Sequence, residues 1–136
     1  MDRIFVMIKP DAVAKGVIGQ IITRFESMGF AILRMEMKRL SQGEAERFYE
    51  PHRGKEFYGK LVDFITSGPV VGILLGGPDA VFRVREAMGT TDPAGAKPGT
   101  LRRLFGTDIT HNAIHGSDSP ENVAREAGIF FGINLD

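Results

Sequence analysis

"LRMEMK" (residues 33–38) alternates apolar and charged side chains, with Leu33, Met35 and Met37 on one side and Arg34, Glu36 and Lys38 on the other. A period of two is the signature of a β-strand with one dry and one wet face, which is typical of antiparallel sheets. Its neighbours along the chain argue the other way. "RIFVMIK" (3–9) is a short apolar run stopped by Pro10, and "PVVGILL" (69–75) is apolar throughout, as expected of a central strand covered on both faces. Between and beyond them run segments of helical period. "VIGQIITRFESM" (17–28) places Val17, Ile18, Ile21, Ile22, Phe25 and Met28 on one face, and Gly29 ends it. "SQGEAERFYE" (41–50) and "KEFYGKLVDFITS" (55–67) read as two helices, the second striped by Tyr58, Leu61, Val62 and Ile65. "DAVFRVREAMG" (79–89) is a helix with Val81, Val84 and Met88 inward.

A last strand is expected to end near Ile114, followed by a helix from Ser119 to about Ala127. Strands alternating with helices point to a parallel α/β sheet. The half-wet strand at 33–38 points to an antiparallel one. A ferredoxin-like β-α-β-β-α-β arrangement, α/β in the α+β sense, satisfies both, with an antiparallel sheet and helices on one face of it. The Gly-, Pro- and Thr-rich stretch from 89 to 100 is a long loop for a compact domain, and such loops tend to be functional.

At 136 residues the chain has room for one domain with a real core, residues 1–136, and not for two. Lys+Arg and Asp+Glu both number 17, so no global positive charge favours nucleic acid or an anionic membrane as partner. Any anion site must therefore be a local cluster of basic residues. The lack of cysteine excludes disulfides, thiolate metal sites and a cysteine nucleophile, and it fits a reducing compartment. The apolar run near the N-terminus is too short for a signal peptide or a membrane span, so the expected location is cytoplasmic.

Neither G-x-x-x-x-G-K-[ST] nor G-x-G-x-x-G occurs. His111 and His115 sit four apart, a spacing that binds zinc from a helix, but 112–114 reads as a strand end. In "NAIHGSDSPE" (112–121) a strand end, a tight turn and a helix capped by Ser119 with Pro120 first account for most of the letters. Several basic residues lie beside turns: Lys9 before Pro10, Arg102 just inside a helix start after "KPGT", and Arg85 at the margin of an apolar stripe. Singly, each reads as a solvated, snorkelling side chain. Phe57 lies about 90° from the centre of its helix's stripe, so it either widens the core face or offers a plate to a flat ligand.

Taken together these segments resemble the nucleoside diphosphate kinase family. "VMIKPDAVAKGVIGQII" is similar to its opening strand and turn, and "FYEPHRGKEFYGKLVDFITSGPVV" to its nucleotide-side helices and the next strand. "GTTDPAGAKPGTLRRLFG" resembles its long loop, and "NAIHGSDSPENVAREAGIFF" its highly specific active-site signature. The resemblance implies that His115 is the phosphorylated nucleophile, with Glu126 holding its ring and Ser117 nearby. It implies that Lys9, Tyr49, Arg85, Thr91, Arg102 and Asn112 hold phosphates, ribose or the reacting oxygens, and that the base stacks on Phe57. It implies nucleoside tri- and diphosphates as substrates, magnesium carried by their phosphates rather than by protein ligands, and a homo-oligomer, hexamer before tetramer. No membrane or nucleic-acid partner is implied.

The chemistry agrees with that assignment. Phosphoryl transfer spreads charge over the phosphate oxygens, so positioning and fixed positive charge dominate catalysis. A neutral imidazole is a competent nucleophile near pH 7, and a carboxylate on its second nitrogen fixes the tautomer. The chain departs from the family's pattern at Glu56 and Tyr58 beside Phe57, at Thr110-His111 before Asn112, and in "LLGG" (74–77), which lacks an acidic residue. A non-catalytic nucleotide-binding module would be favoured by loss of the histidine or of a phosphate ligand, and neither is lost.

Overall fold

The computed structural model describes residues 2–135. Strand β1 (Arg3–Ile8) is buried along its length after Arg3, and it lies inside a four-stranded sheet. Its partners are β3 (Val70–Gly76), buried at every residue as its unbroken apolar run requires, and β4 (Ile114–Gly116). Strand β2 (Ala31–Lys38) flanks β3, giving the order β2-β3-β1-β4 with every pair antiparallel. The antiparallel, ferredoxin-like arrangement expected from the half-wet strand is the one found.

Helices, however, cover both faces of the sheet rather than one. Met7 pairs with Gly72 and Val6 with Gly116, and neighbouring residues of a strand point to opposite faces. A Cβ on Gly72 would run into Phe130 of α7 (Pro120–Phe131), whereas one on Gly116 would strike Met88 of α5 (Ala80–Met88). Complete burial of β1 and β3 demands cover on both sides, because neither strand has a polar side to leave in water. On the α7 face Phe5 packs against Phe48, Phe130 and Phe131 with ring centroids 5.5–6.0 Å apart, the spacing of tilted and edge-on aromatic pairs.

Strand β2 holds the larger surprise. Its apolar side is the open one: Leu33, Met35 and Met37 are 46%, 48% and 53% exposed. The charged side is the one that packs. Lys38 donates to the carbonyl of Phe130 (2.5 Å) and to Glu44 Oε2 (2.8 Å), and the Arg34 guanidinium lies 5.2 Å from the Phe131 ring centroid. The last turn of α7 offers carbonyls and negative dipole to a cation, and long basic stems reach them along apolar surface. Alternation identified the strand and its antiparallel pairing but not which side the chain itself covers.

The remaining elements follow local rules. Pro10, read as a strand stop, also opens a helical turn, α1 (Pro10–Ala14), because proline suits the first helical position. After it come α2 (Ile18–Ser27) and α3 (Gln42–Phe48), the latter begun by a Ser41/Glu44 capping box. Helix α4 (Tyr58–Ile65) starts only after Phe57, so residues 55–57 form a turn instead of its first turn. The 89–100 loop contains a 3-10 turn, Pro93–Gly95, and leads into α6 (Leu101–Phe105). The last strand begins at Ile114 instead of ending there, and so includes His115. Ser119 caps α7 as expected by accepting from the Asn122 amide (3.2 Å), but the helix runs four residues past Ala127 to Gly132 at φ 67. Among the described residues no helix is long and apolar enough to cross a membrane.

Gly72 gives this packing a direct test. Phe5 stands behind the Phe130 ring at 5.5 Å, so that ring has little room to retreat from a new methyl group. Gly72→Ala is expected to cost about 1–3 kcal/mol and to lower the melting temperature by several degrees. Adding Phe130→Leu should recover part of the loss, as thermal melts of the single and double variants will show.

Candidate functional site

Beyond β1 the chain enters Lys9, Pro10 and Asp11, and the ladder to β4 brings residues 112–116 alongside. Lys9 Nζ donates to Asn112 Oδ1 (2.8 Å), and Asn112 Nδ2 donates to the carbonyl of Thr91 in the long loop (3.0 Å). Next comes a strained reversal. The Ile114 amide returns to the Asn112 carbonyl (2.9 Å) around Ala113 at φ 75, a three-residue γ-turn of the rare positive-φ kind. Holding alanine there costs on the order of 1–3 kcal/mol. The reversal leads straight into His115.

His115 pairs with Met7, so it points to the α7 face, where Glu126 comes from the helix. Its Nε2 lies 2.9 Å from Glu126 Oε1. A carboxylate only accepts, so in the neutral imidazole Nε2 carries the proton and Nδ1 the lone pair. The same oxygen accepts from Ser117 Oγ (2.7 Å), and Arg125 sits 3.5 Å from Oε2. Ser117 is fully buried behind the histidine, and the Phe48 ring packs edge-on to the imidazole at 4.9 Å. Contacts of this kind, from a carboxylate on one ring nitrogen and a ring packed at the edge, hold a histidine in one tautomer and one orientation.

These residues line a cleft of about 490 Å³. Of the ten residues singled out from the sequence, nine border it: Lys9, Tyr49, Phe57, Arg85, Thr91, Arg102, Asn112, His115 and Glu126. Ser117 lies behind the wall and reaches the site through Glu126. Sequence reasoning missed His52, Ile109, Asp118, Asn122 and Arg125, which also line it. Ile109 is 62% exposed and Phe57 43%, two apolar groups left open on the rim of one cleft. An isoleucine inside the polar run 107–112 was the available signal. Asp118 and Asn122 sit four apart across the start of α7, bonded at 2.6 Å, and that bond holds the Asp118 carboxyl below its usual range. His52 had no signal, since it enters only because its ring lies between Tyr49 (6.2 Å) and Phe57 (5.4 Å).

The cleft is electropositive by construction. Lys9, Arg85, Arg102 and Arg125 face two carboxylates, Asp118 and Glu126. Arg102 donates to the carbonyls of Gly89 (3.1 Å) and Ile114 (2.9 Å), and Arg85 to that of Gly116 (2.8 Å). Burial, reinforced by Arg102, brings Lys9 down to about 8, with Asp11 and Asp108 pulling the other way. Burial beside Arg85 brings Arg102 to about 10, still charged at neutral pH. Burial and the Glu126 charge push the Tyr49 phenol up, so it remains a neutral hydroxyl. His111, one of the departures from the family pattern, lies outside the cleft with its ring 4.3 Å from Phe64. Its amide and ring both bond Asp108, holding that carboxyl at about 2. Among the described residues no three His, Cys, Asp or Glu side chains cluster to hold a metal ion.

Comparison with known proteins points in one direction. The family profile described as nucleoside diphosphate kinase matches residues 2–134. A nucleoside diphosphate kinase of Desulforamulus reducens is 53% identical over 131 residues, covering 96% of this chain and 88% of the relative. The crystal structure of the Aquifex aeolicus nucleoside diphosphate kinase superposes with a TM-score of 0.94 at 44% identity, covering 96% of this chain and 94% of that one. The structure of a halophilic nucleoside diphosphate kinase from Halobacterium salinarum, in complex with CDP, gives 0.93 at 42% identity, covering 99% of this chain and 91% of that one. With nearly its whole length matched in both sequence and fold, this chain belongs to the nucleoside diphosphate kinase family.

Proposed function

We propose that the chain works as one domain, residues 1–136, moving the γ-phosphoryl group of a nucleoside triphosphate, mainly ATP, to a nucleoside diphosphate in the cytoplasm. The observation that carries this reading is the His115–Glu126 pair at 2.9 Å inside a cleft walled by cations. With Nε2–H given to Glu126, the Nδ1 lone pair attacks the γ-phosphorus, the bond from that phosphorus to the β,γ-bridging oxygen breaks, and the diphosphate leaves. A terminal oxygen of the acceptor diphosphate then attacks the same phosphorus, and the N–P bond breaks back to neutral imidazole. Donor and acceptor differ only by the group transferred, so one site serves both in turn.

Lys9, Arg85 and Arg102 supply the fixed positive charge that phosphoryl transfer requires. Tyr49, Thr91 and Asn112 add neutral donors around phosphates and ribose, and Phe57, half-exposed on the rim, gives the base a stacking face. Stacking is tolerant of base identity, which fits use of several nucleotides. Ser117 and Glu126 hold the imidazole. Magnesium fits as a companion of the substrate: Asp118 is the one cleft carboxylate not engaged with the histidine, so the phosphates would supply most of the cation's ligands. Bound there, magnesium would neutralise phosphate charge.

The open apolar row of Leu33, Met35 and Met37 on an edge strand supports a homo-oligomer, hexamer before tetramer, with the 89–100 loop as a second contact surface. Light scattering at micromolar concentration should return a multiple of the chain mass. A single-chain mass would overturn this reading.

Incubation with γ-labelled ATP should leave acid-labile label on the wild-type chain, and none on His115→Ala, which should still bind ADP. Initial-rate lines for varied donor and acceptor should be parallel. Intersecting lines, or turnover by His115→Ala at the wild-type rate, would overturn the mechanism.

Lys9 adds a pH dependence of defined sign. Its value of about 8 lies below the ordinary 10.5, and a phosphate beside it favours the charged form. Binding near pH 8–9 should therefore take up protons, and ADP affinity should fall as pH rises through about 8. Calorimetry in two buffers of different ionisation heat will measure the uptake, and Lys9→Met should remove it.

A further inference from the structure

The γ-turn at Ala113 is gripped from both sides by the segment that follows β1. The Lys9 amide donates to the Ala113 carbonyl (2.9 Å), and the Ala113 amide donates to Asp11 Oδ2 (3.0 Å). Ala113 is fully buried, so its amide has no water to turn to, and its φ of 75 is one that alanine does not adopt unaided. Either side of the turn carries the site. Asn112 before it binds Lys9 and the Thr91 carbonyl, while Ile114 after it gives its carbonyl to Arg102 and leads into His115. Asp11 itself does not line the cleft.

We propose that Asp11 is a positioning residue: its carboxylate locks Ala113 in the strained turn, so that Asn112 and His115 face the same cleft. The inference rests on the phosphotransfer reading above. What the clamp supplies is a hydrogen-bond acceptor at one point in space, fixed on the first turn of α1, where Pro10 restricts the backbone. Without it the turn relaxes toward negative φ, and the histidine moves relative to the phosphate ligands. Displacements on the order of 1 Å near a reacting centre slow transfer more than they weaken binding.

The test is single-turnover labelling of the full chain with saturating γ-labelled ATP, alongside hydrogen exchange at the Ala113 amide. Asp11→Asn keeps an acceptor oxygen and should label within about threefold of wild type, since one hydrogen bond is retained. Asp11→Ala should label roughly 10- to 100-fold more slowly, with faster exchange at Ala113 and a smaller change in ADP affinity. Asp11→Ala/Ala113→Gly should regain most of the rate, because glycine takes positive φ without a clamp. A loss that glycine does not recover, an unslowed Asp11→Ala, or an Asp11→Asn as slow as Asp11→Ala would overturn the proposal. Should Asp11→Ala not fold, a folded double variant supports the clamp and an unfolded one overturns it. A wild-type chain that takes no label would sink the phosphotransfer reading instead, and Ala113 exchange across the variants would still decide the clamp.

Discussion

The ladder between β1 and β4 is three residues long, and the whole cleft depends on it. Val6, Met7 and Ile8 pair with Gly116, His115 and Ile114. That register turns His115 toward α7, where Glu126 waits, and turns Gly116 toward Met88. A slip of one residue would aim the imidazole at α5 and press a side chain into the space that only glycine leaves. The same ladder sets Lys9, one residue past its end, against Asn112. Two of the site's charged or titrating groups are thus placed by backbone hydrogen bonds before any side chain interacts.

How the cations are held matters as much as where they stand. Lys9 is held by an amide oxygen, Arg85 by the Gly116 carbonyl, and Arg102 by the carbonyls of Gly89 and Ile114. Among the described residues none of the three forms an ion pair. Carbonyl dipoles orient a guanidinium without cancelling its charge, so the field stays available to an anion in the cleft. The arrangement is costly without a ligand, as the lowered value of Lys9 records. Sites organised for a charged substrate commonly trade stability for that readiness.

Strand β2 carries the same logic to the surface. Its charged side is engaged by the end of α7, while its apolar side stays open. An edge strand with an open apolar row is a liability in a monomer and an asset in an assembly. The Lys38 bond to the Phe130 carbonyl also ties this edge to the helix that holds Glu126. One hydrogen bond therefore joins the surface that would meet another copy to the helix that carries Glu126.

Local chemistry alone determined a good deal. Helix starts at Ser41 and Ser119, the buried run of β3 and the antiparallel pairing of β2 follow from capping and from side-chain period, which act over a few residues. His115 and its neighbours were legible because their order in the chain resembles that of one family. Other features were settled only by contacts between distant segments. Whether Met35 or Lys38 faces the helices depends on which surface arrives, and period cannot say. Ser117 reads from sequence as a neighbour of the histidine, yet it lies behind the cleft wall and bonds Glu126 instead. Asn122 joins the cleft only through the packing of α7 against α3, and His52 only through its ring contacts with Tyr49 and Phe57. The strain at Ala113 is invisible in its letter, since alanine is compatible with any ordinary backbone, and the bonds from Lys9 and Asp11 that flank the turn come from about a hundred residues earlier in sequence.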